Sequence, residues 1–111
     1  MFGLSENVYQ KILRIIQKYD VNFILFGSRA RGDYKLNSDI DIAVQDAVDE
    51  KTEYNIRNDF DLLDIPYTVD LVFIDSKIKE ELRQSIIKEG VNLKWIDLNK
   101  KEKILIMLLW D

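Results

Sequence analysis

Two short stretches hold the residues whose types and spacing could do chemistry. The first is Phe26-Gly27-Ser28-Arg29-Ala30-Arg31-Gly32 and the second is Ser38-Asp39-Ile40-Asp41-Ile42-Ala43-Val44. Ten residues, Arg29 through Ser38, separate Ser28 from Asp39. Gly27 lets the backbone approach a ligand closely. If Ser28 opens a helical turn, its free N–H groups and its hydroxyl can hold phosphate oxygens. Arg29 and Arg31 add positive charge to the same segment. Taken alone, the turn also fits an ordinary strand-to-helix corner followed by two solvated arginines.

Asp39 and Asp41 lie two apart in an apolar run, so on a strand both carboxylates point to one face. Two such groups repel, and each raises the other's pKa. A divalent cation removes that conflict. The chain has no His and no Cys, and an all-oxygen donor set favours Mg²⁺, with Mn²⁺ as its substitute. The plain alternative is a half-exposed strand with a polar outer face. Asp70, in Thr68-Val69-Asp70-Leu71-Val72-Phe73-Ile74, is costly if buried without a partner. It completes a three-carboxylate metal site, or it is a surface aspartate or the partner of one of the 16 Lys+Arg. Together the three elements suit two-metal phosphoryl or nucleotidyl transfer. One cation would sit on the triphosphate between Asp39 and Asp41. A second, among all three aspartates, would acidify an acceptor hydroxyl whose proton Asp70 helps to take.

These residues need elements to position them. Ser5 can cap a helix to about Tyr19 that places Val8, Ile12, Ile15, Ile16 and Tyr19 on one face. Val21 to Phe26 reads as a buried strand, Arg29 to Gly32 as a short helical turn, and Asp33 to Asn37 as a polar loop. Asp39 to Val44 is a second strand. An acidic linker, Asp46 to Lys51, leads into a helix to about Leu63 with Ile56, Phe60 and Leu63 inward; Pro66 helps to end it. Tyr67 to Ile74 is a third strand. Asp75 or Ser76 is expected to cap a helix through Lys88, with Gly90 at its C-terminus. Val91 to Ile96 is expected as a fourth strand. The expected fold is α+β (α/β): a small mixed sheet with helices packed mainly on one face, leaving the other open around the aspartates.

Composition bounds the alternatives. A chain of 111 residues with 47% apolar and 32% charged residues suits one compact domain with a solvated surface. We expect a catalytic core over 1–98 and an apolar helix over 99–111, docked on the same domain or on a partner. Its run Ile104 to Trp110 is apolar all round and would serve homo- or hetero-oligomer contact if exposed. It is too short to span a bilayer. Met1 to Leu4 leads straight into polar Ser5-Glu6-Asn7, so no signal peptide is expected and the cytoplasm is the expected compartment. The net charge of −4 argues against holding long nucleic acid. Without His or Cys, zinc sites and Ser-His-Asp or Cys-His systems are excluded. Tyr34, between the two motifs, is the tyrosine expected nearest the cleft rim.

The pattern Gly27-Ser28, ten residues, Asp39-Ile40-Asp41, then Asp70 on a later strand resembles the polymerase-β-type nucleotidyltransferase superfamily. Within it the chain is most similar to the minimal nucleotidyltransferases (MNT), antitoxin partners of HEPN-domain toxins. The resemblance implies a polymerase-β-like fold and transfer of AMP from ATP to a tyrosine hydroxyl of the toxin. It puts Gly27 and Ser28 on phosphates, with Arg29 and Arg31 at the basic positions nearby. Asp39, Asp41 and Asp70 become metal ligands, and Asp70 also the base. Two rivals stand beside it: a non-catalytic toxin-binding module, and a transferase acting on a small molecule or an RNA end.

Overall fold

A computed structural model describes residues 1–75 and 77–96. The expected tail over 99–111 and Ser76 lie outside the described residues. In chain order the elements are α1 (Glu6–Lys18), β1 (Phe23–Phe26), α2 (Gly27–Arg31), β2 (Ile40–Val44), α3 (Glu50–Asp61), β3 (Val69–Phe73), α4 (Glu80–Glu89) and β4 (Val91–Asn92). The four strands form one sheet in the order β3-β2-β1-β4. β1 is antiparallel to both β2 and β4, whereas β2 and β3 are parallel.

Local sequence explains most boundaries. Ser5 caps α1, its side chain accepting from the Val8 N–H. Asp49 does the same for α3, accepting from Thr52. α1 buries Val8, Tyr9, Ile12, Leu13, Ile15 and Ile16; Tyr9 and Leu13 join the expected stripe, while Tyr19 falls just past the helix as its C-cap and is half-buried. This stripe joins Ile56 and Phe60 of α3 over Phe23, Leu25, Ile40, Ile42 and Val44 of the sheet. Burying side chains of this size stabilises by roughly 1.5–3 kcal/mol each, so this face carries the main core.

The alternate strand residues face the other way. There Ile24, Phe26 and Ala43 meet Ile86 of α4, with Val72, Ile74, Ile78 and Leu82 around them. One helix therefore covers part of the face expected to stay open. It packs against β1 and α2, with Ala43 and Val72 in the same apolar cluster. Asp41 and Asp70, near the starts of β2 and β3, remain outside its footprint.

Two local expectations need correction, at Asp75 and at the fourth strand, while Gly90 ends α4 as expected. Asp75 does not cap α4; its carboxylate accepts from the Lys77 N–H, and α4 starts at Glu80 after Lys79, with no side-chain cap. Gly90 takes up extended backbone. Its lack of a side chain matters because a Cβ would collide with the Ile86 carbonyl and Ile24. The fourth strand stops at Asn92, and residues 93–96 are helical. The Asn92 side chain explains the switch: its oxygen accepts from the Trp95 N–H while its amide donates to Asn22. A side-chain oxygen on a backbone N–H three residues on is a helix-start device.

Candidate active site

The site forms where β1 ends and β2 and β3 begin. Phe26 pairs in register with Asp41, and Asp41 pairs with Asp70. Neighbouring strands lie about 4.8 Å apart, and register partners share a face. Asp41 and Asp70 are therefore side by side on the face opposite the main core. Asp39 precedes β2 and joins them on that face by the two-residue period.

The chain leaves β1 directly into α2. Gly27 takes φ +74°, a conformation open to glycine at little cost. A second reason for glycine is steric. A Cβ at position 27 would fall within the contact radius of Asp41 Oδ2. The Asp41 carboxylate thus packs directly against the start of α2. The residue before that helix, Phe26, supplies no side-chain cap, so its first N–H groups face the site without one. Ser28 is half-buried at this corner.

Electrostatics tie the three carboxylates together. Asp41 is half-buried, and burial pushes its pKa above the ordinary carboxylate value; Asp70 and then Asp39 push it further, while Arg31 pulls it down. Asp39 and Asp70 are exposed. Among the described residues none of the three accepts a hydrogen bond or forms an ion pair. No three acidic side chains of the described residues stand in a closed chelating arrangement. Like charges repel, and the cation acting on Asp41, Arg31, is itself paired with Asp33 and Glu89. Three carboxylates without hydrogen-bond donors, Asp41 among them half-buried, are an oxygen donor set whose chemistry suits a hard divalent cation.

The two arginines part company. Arg31 is exposed, pairing through Nε with Asp33 at 3.2 Å and through Nη1 with Glu89 at 3.0 Å. It links α2 to α4 at the rim and lies near enough to act on Asp41. Arg29 is 1% exposed, and its placement does not fit the phosphate role expected of it. Its guanidinium donates to the carbonyls of Ser38, Phe2 and Leu36. The rings of Tyr34 and Tyr67 lie 5.3 and 4.7 Å from it. Tyr34 is exposed at its edge, but its ring rests against Gly3, where a Cβ would collide with it. Sequence reading missed this nest. The aromatic residues at positions 34 and 67 were visible, but only the fold brings them to Arg29.

Comparison with known proteins agrees with this geometry. The family model described as "Polymerase beta, Nucleotidyltransferase" matches residues 10–105. A search of curated proteins returns no match. A crystal structure of a toxin-antitoxin with AMP-PNP superposes with a TM-score of 0.56 at 23% identity, covering 93% of this chain and 98% of that one. A tri-AMPylated Shewanella oneidensis HEPN toxin in complex with MNT antitoxin contains a chain similar at TM-score 0.53 and 20% identity, covering 97% and 100%. The toxin-antitoxin MntA-HepT gives 0.52 and 21%, covering 96% and 100%. At these identities the likeness is one of fold. The family model spans most of the sequence and includes all three aspartates, so the chain belongs to the polymerase-β nucleotidyltransferase family.

Proposed function

We propose that this protein is an antitoxin-type adenylyltransferase that moves AMP from ATP to a tyrosine hydroxyl of a partner HEPN-domain toxin. The observation that carries the reading is the register pairing of Asp41 with Asp70, with the Gly27 corner packed on Asp41. Pure binding gives no reason to line up unpartnered carboxylates. The neighbouring structures carry AMP-PNP in one case and an AMPylated HEPN toxin in another, and these supply the nucleotide and the class of partner.

In this reading the α2 amides and the Ser28 hydroxyl hold triphosphate oxygens, and Arg31 adds positive charge at the rim. Asp39 and Asp41 would hold one Mg²⁺, and all three aspartates a second. When bound, the ions neutralise phosphate charge and acidify the acceptor hydroxyl. The tyrosine oxygen attacks the α-phosphorus, and the bond from that phosphorus to the bridging oxygen breaks. Pyrophosphate leaves toward the Gly27–Ser28 corner. The tyrosine proton passes to Asp70, which is exposed beside Asp41 and unengaged by any described residue.

The test is to incubate the chain with ATP, Mg²⁺ and the product of the adjacent reading frame, then take intact masses of both proteins. AMP-sized increments on the partner that vanish with Asp41→Asn support the proposal. Neutralisation of the partner that survives in Asp41→Asn without any mass change overturns it in favour of a binding module.

A further inference from the structure

The strongest unexplained feature is a fully buried arginine beside an exposed loop. Residues 31–37 are all exposed, with Leu36 at 91%, yet this loop delivers Asp39. Little apolar burial holds it. Its internal bonds are Lys35 N–H to Ser38 Oγ at 2.8 Å, Ser38 N–H to Lys35 carbonyl at 3.1 Å and, at its start, Arg31 Nε to Asp33 at 3.2 Å. What ties it down is Arg29, donating to the Leu36 carbonyl and, with two nitrogens, to the Ser38 carbonyl at 2.9 and 3.1 Å. The Ser38 carbonyl belongs to the peptide unit that enters Asp39.

The same guanidinium reaches back to the Phe2 carbonyl at 3.0 Å. That carbonyl is presented by a turn with two consecutive positive φ values, +55° at Phe2 and +73° at Gly3. Phe2 is the one described non-glycine residue in this region of backbone space. Strain of this kind persists where surrounding contacts over-determine it. Here the contacts are the Arg29 bond and the Tyr34 ring seated on Gly3.

Resting on the nucleotidyl-transfer reading, we infer that Arg29 is a positioning residue: it clamps the strained N-terminal turn to the Ser38 peptide and so fixes Asp39, and the Asp-x-Asp strand behind it, for metal. A planar guanidinium can serve three carbonyls at once, whereas an ammonium cannot reproduce that fork. Support groups of this kind typically change metal affinity by about 10–100-fold when altered.

The experiment compares wild type, Arg29→Lys and Gly3→Val. The second variant disturbs the clamp from its far side, at an exposed glycine that touches none of the aspartates in its nearest contacts. Mn²⁺ affinity is read by electron paramagnetic resonance with AMP-PNP present, and amide exchange is followed at Lys35, Ser38 and Ile40. The expected result is folded variants with Mn²⁺ affinity down about tenfold or more, faster exchange at those three amides, and unchanged exchange in α3. Folded Gly3→Val protein with wild-type exchange at those amides, or wild-type Mn²⁺ affinity, overturns the inference even if Arg29→Lys does not fold. Wild-type protein that takes up no Mn²⁺ overturns the transfer reading instead, and the exchange comparison then decides the clamp by itself.

Discussion

Asp41 is the residue at which stability and function oppose each other. Its pKa is raised by burial and by the like charges of Asp70 and Asp39, so the folded state holds its proton more tightly than the unfolded chain does. Below the ordinary carboxylate pKa of about 3.9 both states are protonated and the folded state bears no penalty. As pH rises from there through the raised folded value, that favourable margin is lost. Asp41→Asn is therefore expected to raise the melting temperature of the metal-free protein at pH 7, with the gain fading as pH falls toward 4. Added Mg²⁺ should raise the melting temperature of wild type and not of the variant. Thermal melts across that pH range check both outcomes. Gly27→Ala is the steric counterpart. It forces a side chain into left-handed backbone, at about 1–2 kcal/mol, and pushes on the Asp41 carboxylate. Urea unfolding should show the loss, and transfer should fall with it. Asp70→Asn should lower the transfer rate at least about a hundredfold without lowering the melting temperature, because Asp70 is exposed and holds no described partner.

At the scale of elements, the site depends on how strands meet helices. α2 is a five-residue helix whose two arginines do different work. Arg31 ties it to α4 through Glu89 and is the one cation pulling the Asp41 pKa down. Arg31→Ala is expected to change the melting temperature little, since exposed ion pairs contribute little. It should move Asp41 ionisation to still higher pH, which a carboxyl-carbon NMR titration reads directly. Much of this arrangement was legible beforehand. Period-two alternation placed Asp39 and Asp41 opposite Ile40 and Ile42. The Gly27-Ser28 corner, the cap at Ser5 and the third strand around Asp70 all follow from local chemistry. What was hidden depends on contacts between distant segments. The buried state of Arg29 needs Phe2, Tyr34 and Tyr67 around it. The early end of β4 needs Asn22 to hold the Asn92 side chain. The register that sets Asp70 beside Asp41 is a property of the parallel pairing, which no local pattern fixes.

For the molecule as a whole, a small sheet with its main core on one face leaves the start of β2 and β3 free for substrate. Ile56 of α3, fully buried in that core, packs on the sheet face opposite the aspartates. Ile56→Ala should lower stability by about 2–5 kcal/mol, read by chemical denaturation, while transfer per folded molecule stays at the wild-type level. Among the described residues no helix is long and apolar enough to cross a membrane. In the transfer reading a separate protein brings the acceptor. The most direct measurement is of what leaves ATP when that partner is present with Mg²⁺. Attack at the α-phosphorus predicts pyrophosphate released in equal amount to AMP gained by the partner, with both lost in Asp41→Asn. Release of inorganic phosphate in place of pyrophosphate, or equal pyrophosphate from wild type and Asp41→Asn, would contradict a nucleotidyl-transfer site built on these aspartates.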